Sequence, residues 1–106
     1  MKFKIYQITN THNPYIFMDY EYAKTHGFDI GDYRMVYDGE LNANLPIDTA
    51  LELIYRHFNV NHPMDYVGRS LSVSDIVEID RKFWYCDDAG WIILPITTVL
   101  NGGYTA

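Results

Sequence analysis

The chain has 106 residues, of which 48% are hydrophobic, and a formal net charge of −6. This length corresponds to one domain, and the hydrophobic content excludes a disordered chain, which combines low hydrophobicity with high net charge. The 8 basic residues are scattered among 14 acidic ones. Direct binding of nucleic acid is therefore not expected, because it requires clustered positive charge. The single cysteine excludes an internal disulfide and a Cys-x-x-Cys zinc site.

The sequence carries no signal for secretion or for a membrane. No charged segment followed by an apolar one opens the chain, and the apolar run Trp91–Leu94 is too short to span a bilayer. We expect a cytoplasmic protein that binds neither metal nor cofactor. A single domain is expected over residues 1–106, with a flexible tail from about residue 101. The ten tyrosines suit sheet packing, and they leave a monomer and a homodimer both open.

The first quarter of the chain predicts a strand and a short helix. Residues Lys2–Thr9 alternate as in a strand, although both faces carry bulky side chains. The apolar run Tyr15–Met18 is predicted to pair back onto this strand. Asp19 is a good N-cap for a short helix over Tyr20–His26, and Gly27 provides the left-handed residue that ends it.

The middle of the chain predicts a short strand and the principal helix. Met35–Tyr37 favours the strand, ended by Asp38 and Gly39. The helix is predicted over Thr49–Phe58, capped either by Asp48 or by Thr49 with Glu52 in a capping box. The spacing i, i+3, i+4, i+7 predicts a buried face formed by Leu51, Ile54, Tyr55 and Phe58.

The second half of the chain predicts a β-meander. Its four strands are expected at Leu71–Val73, Ile76–Asp80, Phe83–Cys86 and Gly90–Leu94. Asp87–Gly90 is a hairpin loop that ends in glycine. The predicted fold class is therefore α+β: an antiparallel meander of about five strands, packed by one principal helix and one short helix.

Several segments of the chain form a series that resembles a known family. They are Phe3–Ile8, Phe17-Met18-Asp19-Tyr20, Tyr37-Asp38-Gly39-Glu40-Leu41, Phe58-Asn59, His62-Pro63 and Gly68–Ile79. In order and spacing they resemble the YodL-like domain, a small module carried largely on bacterial mobile elements. The end of the chain, Trp91–Ala106, departs from that pattern.

The resemblance implies a biological setting and no catalytic residues. Such domains travel on conjugative elements and phages, often beside genes that counter host defences, and some small proteins from that setting inhibit CRISPR nucleases. The acidic residues are consistent with such a role, since six of them lie between Asp19 and Glu40, against Lys24 and Arg34. Surface carboxylates there could take the place of phosphates in the positively charged channel of an RNA-guided nuclease.

The leading hypothesis is a non-enzymatic anti-CRISPR protein that binds a type II nuclease and blocks guide-RNA loading or DNA binding. We expect its partner-binding surface to contain four acids and two aromatic anchors: Asp29, Asp32, Tyr33, Tyr37, Asp38 and Glu40.

Two alternatives stay open. One is a metal-dependent nuclease acting on guide RNA, with Asp75, Glu78, Asp80 and His62 as its candidate residues. The other is an interaction module of a mobile element that has no defence target. A purely structural role is also expected for two residues. Asp75 is expected to fix an exposed turn. Cys86 is expected to be a packed strand residue and not a nucleophile, because the two acids that follow it disfavour ionisation of its thiol.

Overall fold

The computed structural model describes residues 1–60, 62–66 and 68–95. Its five strands are β1 (Lys2–Ile8), β2 (Tyr33–Glu40), β3 (Ile76–Ile79), β4 (Lys82–Asp87) and β5 (Gly90–Ile93). They form one sheet in the order β2-β1-β3-β4-β5, in which every neighbouring pair is antiparallel. Two α-helices, α1 (Tyr20–Thr25) and α2 (Ile47–Val60), and a 3₁₀ turn (Ile30–Asp32) complete the described elements.

This architecture confirms the predicted α+β class. The tail predicted from about residue 101 lies outside the described residues. Within the described ranges, no helix is both long and apolar enough to cross a membrane.

Both faces of the sheet are covered, which explains why β1 carries bulky side chains on both of its faces. Phe3 and Ile5 pack with α2 on one face, while Tyr6 and Ile8 pack on the other face with the segment that contains α1. All four residues of β3 are buried. Strand β1 pairs with β2 on one side and with β3 on the other, so the two hydrophobic clusters lie against the two faces of a paired central layer.

Helix α2 begins earlier than predicted. Ala50 donates its backbone N–H to the carbonyl of Pro46, so the helix starts before both predicted caps, and Asp48 lies in its first turn. The predicted buried face is correct at Leu51, Ile54 and Phe58. It is wrong at Tyr55, which is 37% exposed, because this ring lies over the edge of Trp91 instead of the sheet interior.

Helix α1 follows its prediction. The Asp19 carboxylate accepts a hydrogen bond from the Tyr22 backbone at 2.8 Å, and Gly27 has a φ of 82° just after the helix. The strand expected at Tyr15–Met18 is wrong, because these residues form a turn in which the Met18 N–H bonds the Tyr15 carbonyl. Phe17 has a φ of 67°, which is incompatible with a continuous strand.

Two other strand predictions need correction. The strand expected at Leu71–Val73 is a turn, and Ser74 at its end has a φ of 82°. Strand β2 is longer than expected and continues through Gly39 to Glu40. Its register shifts opposite Ile5 and Tyr6, which leaves Val36 as the extra residue of a β-bulge. The predicted hairpin at Asp87–Gly90 joins β4 to β5 and is confirmed.

Candidate interaction surface

Strand β2 is an edge strand, and the four predicted acids follow it. Asp29 and Asp32 precede the strand, Asp38 and Glu40 lie near its end, and all four are exposed. Eight strand residues extend for roughly 25 Å. The four carboxylates therefore form a line along one edge of the sheet, which we call the acidic rim (Asp29, Asp32, Asp38 and Glu40), and do not form one compact cluster.

The first two acids of the rim are held in place by local hydrogen bonds. Asp29 accepts from the Gly31 backbone at 2.8 Å and so caps the 3₁₀ turn. Asp32 accepts from the Tyr15 hydroxyl at 2.7 Å and from the Asn13 side chain at 3.2 Å. Burial raises the pKa of Tyr15, and the Asp32 carboxylate adds to the rise, so Tyr15 remains a neutral donor to this carboxylate.

The other two acids lie opposite lysines. Asp38 pairs in register with Lys4, and Glu40 pairs with Lys2. Within residues 1–60, 62–66 and 68–95, neither acid comes within 4 Å of a basic group. The lysines therefore weaken the negative potential at this end of the rim without quenching either carboxylate.

The two predicted aromatic anchors have different positions. Tyr33 is only 4% exposed and donates its hydroxyl to the Ser74 carbonyl at 2.6 Å, so it belongs to the core and is not available as a surface anchor. Tyr37 is half-buried, with its ring packed edge-on against Phe58 at 4.9 Å. Burial raises the pKa of Tyr37, and the nearby Asp65 carboxylate adds to the rise.

A groove that the sequence did not predict adjoins the end of the rim. It has a volume of about 550 Å³ and lies between the end of β2 and α2. Its lining is largely apolar and includes Tyr37 and Leu53, with Glu40 and His57 among its polar members. Leu53 is 46% exposed there. The groove thus brings together Tyr37 and Glu40, one aromatic anchor and one acid of the predicted binding surface, in a largely apolar lining.

The nuclease candidates are not assembled into one site. Asp75, expected in an exposed turn, is fully buried, and Arg69 contacts its two oxygens at 2.9 and 3.0 Å. Gln7 and the Ser72 backbone donate to the same carboxylate at 3.0 and 2.8 Å. Burial raises the pKa of Asp75 to about 6, and the Arg69 charge opposes the rise. The bond from Ser72 confirms the predicted turn role, whereas the exposure was wrong because this carboxylate joins β1 to the segment before β3.

The other three candidates lie apart from this network. Glu78 is nearly buried and accepts from the Tyr6 hydroxyl at 2.6 Å, Asp80 is exposed in the turn after β3, and His62 is exposed on a loop. In the described part of the chain, no three His, Cys, Asp or Glu side chains are grouped as a metal site requires. Cys86 is buried, and burial raises the pKa of its thiol to about 12, as expected for a packed strand position.

Comparison with known protein families assigns the chain to a family. The family model of the YodL-like domain matches residues 2–94. The chain belongs to the YodL-like domain family. The match runs from the start of β1 to just beyond β5, so the YodL-like domain comprises the whole described sheet with α1 and α2. It also includes Trp91 to Leu94, which corrects the expectation that the family pattern is left at Trp91. Comparison with curated proteins and with solved structures gave no significant match.

Proposed function

We propose that this YodL-like domain is a non-enzymatic anti-defence protein that binds a CRISPR RNA-guided nuclease through the acidic rim. The observation that carries the proposal is that Asp29, Asp32, Asp38 and Glu40 are all exposed, the first two just before the edge strand β2 and the last two near its end. A line of carboxylates is complementary to a channel that holds a nucleic-acid backbone by positive charge. Occupation of that channel by the rim would block guide-RNA loading or DNA binding.

The local structure of the rim supports a binding role. Asp29 and Asp32 are already fixed by hydrogen bonds, so their ordering adds little entropic cost when a partner binds. Tyr37 and Leu53 supply apolar surface beside Glu40. Interfaces commonly combine such an apolar centre with charged groups that set the rate and the register of association.

The test is an order-of-addition assay with a purified type II nuclease. The protein is added before or after the guide RNA, and both target cleavage and guide-RNA integrity are measured, with and without magnesium. We expect cleavage to be lost with the RNA intact, most strongly when the protein is added first. Shortened RNA would instead indicate the nuclease alternative, and no effect in any order would leave the mobile-element interaction module as the working hypothesis.

A double variant, Asp38→Asn with Glu40→Gln, tests the rim itself. These two side chains make no hydrogen bond or ion pair within the described residues, so their neutralisation should not disturb the fold. We expect inhibition to weaken by roughly threefold to tenfold, since exposed ion pairs contribute up to about 1 kcal/mol each. The matched control is Glu21→Gln, an exposed acid on α1 whose only ion-pair partner among the described residues is Lys24.

A further inference from the structure

The outer side of β2 carries backbone groups that point away from the sheet. Leu41 donates its N–H to the Met1 carbonyl at 2.8 Å, and the Met1 amino group donates to the Leu41 carbonyl at 3.1 Å. Opposed residues of an antiparallel pair alternate between such a doubly bonded pair and a pair whose N–H and C=O groups point away from each other. Counting back from Leu41, the backbone groups of Glu40 and Asp38 therefore point outward from the sheet edge.

This stretch of the edge is free to pair with another strand. In the described part of the chain, no hydrogen bond reaches the backbone of Asp38 or Glu40 from outside β1. Edge strands are often protected by proline, by lysine or by a bulge. Strand β2 contains neither proline nor lysine, and its bulge at Val36 lies before this stretch. The segment Asp38–Glu40 is thus a regular edge with unpaired donors and acceptors.

The two faces of this stretch differ in chemistry. Asp38 and Glu40 lie on the same face as the lysines opposite them in β1, beside an open depression of about 830 Å³. Gly39 lies on the other face, where the rings of Phe3 and Tyr37 pack against it. Both rings line the apolar groove between β2 and α2. A strand added here would meet carboxylates on one face and aromatic rings on the other.

The chain already contains one strand that matches this edge. On the inner side of β2, the segment Lys2-Phe3-Lys4 pairs in register with the segment from Glu40 back to Asp38. Its lysines lie on the face of the two acids, and its phenylalanine lies on the face of the groove. The outer side presents the same acids and the same glycine to a further strand, so it selects the same basic–apolar–basic order.

We propose that the outer edge of β2 pairs with an extended segment of a partner protein that carries a basic–apolar–basic sequence. The segment would run antiparallel to β2, with its basic residues opposite Asp38 and Glu40. Main-chain hydrogen bonds to a sheet edge supply affinity, and the alternating side chains supply specificity. The inference rests on the proposed function in one respect, that the acidic rim binds a partner, and it specifies how that partner engages the rim.

A second copy of the chain does not match this edge. The only basic residue of β2 is Arg34, which pairs with Gln7 in β1. Asp38 pairs with Lys4. Gln7 and Lys4 are three positions apart in one strand, so the arginine and the aspartate lie on opposite faces of the sheet. Two β2 strands paired antiparallel would therefore place no cation beside the acids, whereas a foreign basic segment would.

The first experiment uses the peptide acetyl-Gly-Lys-Phe-Lys-Val-Gly-amide. It is titrated into the isotope-labelled full chain, and amide resonances and amide hydrogen exchange are recorded. We expect saturable binding that slows exchange at Asp38 and Glu40 and leaves Gly39 unchanged, because the Gly39 N–H already bonds β1. Absence of saturable binding, or binding that leaves the Asp38 and Glu40 amides unprotected, would overturn the inference.

Two N-methylated peptides separate backbone pairing from charge attraction. Methylation of both lysine nitrogens removes the donors that face Asp38 and Glu40, and it should weaken binding by roughly tenfold or more. Methylation of the phenylalanine nitrogen is the matched control, because that N–H points to the solvent side of the added strand, and binding should change little. If the two modifications weaken binding equally, the peptide does not pair as a strand.

Two variants of the chain test the charge complementarity. Asp38→Asn with Glu40→Gln should weaken binding of the lysine peptide by roughly threefold to tenfold, the size of two exposed ion pairs. Glu21→Gln, an exposed acid on α1 away from the edge, should bind as the native chain does. If the double variant binds the peptide as tightly as the native chain, the acids do not select a basic segment.

Self-association is measured in parallel by analytical ultracentrifugation. A concentration-dependent dimer that the lysine peptide dissociates would assign this edge to a homodimer and overturn the proposal of a foreign partner. A monomer at all concentrations, together with binding of the peptide, supports it.

Failure of this inference and failure of the proposed function give different results. Peptide binding by a chain that does not inhibit the nuclease would support pairing at the β2 edge and reject the nuclease as the partner. Inhibition of the nuclease by a chain that does not bind the peptide would overturn strand pairing and leave the function of the acidic rim standing.

Discussion

Two acidic regions of this protein show how burial decides what a carboxylate does. Asp75 is completely buried and has four hydrogen-bond or ion-pair contacts within about 3 Å, from Arg69, Gln7 and Ser72. The acids of the rim are exposed, and Asp38 has no described basic neighbour within 4 Å. The Asp75 carboxylate is held within the fold by three hydrogen bonds to Oδ2 and an ion pair at Oδ1, whereas the Asp38 and Glu40 carboxylates make no hydrogen bond or ion pair within the described residues and are open to a partner. The predictions below test whether this contrast holds.

The largest effect is expected for Arg69→Ala. This change leaves the buried Asp75 carboxylate without its cation and also removes the contact between the guanidinium and the Phe17 ring. Loss of one member of a buried ion pair costs about 3 kcal/mol of unfolding free energy or more. Urea unfolding followed by circular dichroism measures it. If Arg69→Ala lowers the unfolding free energy no more than substitution of an exposed acid does, the Asp75 network does not stabilise the fold.

The second prediction concerns the pH dependence of stability. Burial raises the pKa of Asp75 from 3.8 to about 6 in the folded chain. A carboxyl whose pKa is raised on folding stabilises the fold fully below its unfolded pKa, and this contribution is lost as the pH rises through the folded pKa. The unfolding free energy of the native chain, measured relative to Asp75→Asn, should therefore fall between about pH 4 and pH 7.

The Asp75→Asn comparison isolates one group, because the other carboxylates titrate in both chains. Unfolding is followed by urea titration at several pH values on both proteins. A difference that stays constant with pH, or that grows as the pH rises, would contradict the raised pKa.

The smallest effect on stability is expected at the rim. Asp38→Asn with Glu40→Gln should change the unfolding free energy by no more than about 0.5 kcal/mol, since exposed charges away from special contacts contribute little. Thermal unfolding measures it. A large loss of stability would show that these acids support the fold through the lysines opposite them in β1, and the contrast between the two regions would then fail.

Much of the fold follows from local sequence patterns. Alternating side chains identify β1. Asp19 as N-cap and Gly27 as the left-handed residue after the helix identify the two ends of α1. Short apolar runs are less informative: Tyr15–Met18 forms a turn instead of a strand, and Phe17 and Met18 in it are exposed. The sequence also does not show that Tyr33 is buried while Tyr37 is half-buried, since both tyrosines have polar neighbours on the same strand.

The candidate surfaces depend on long-range pairing, which local patterns do not contain. That β2 lies at the sheet edge follows only from the order β2-β1-β3, in which β1 pairs with strands on both sides. Gln7 likewise donates hydrogen bonds to the Arg69 carbonyl, 62 positions away, and to the Asp75 carboxylate, 68 positions away. One signal was present in the sequence: Gln7 lies between Tyr6 and Ile8 in an otherwise bulky strand, and a polar residue there indicates a buried partner.

The most direct test of the central claim is the order-of-addition assay repeated with the rim variant. The native chain and Asp38→Asn with Glu40→Gln are each added to the type II nuclease before its guide RNA, and residual target cleavage is measured over a range of inhibitor concentrations. The rim account predicts that the native chain inhibits and that the equally stable variant requires roughly threefold to tenfold more protein for the same inhibition. Equal inhibition by the two proteins, or none by the native chain, would contradict it.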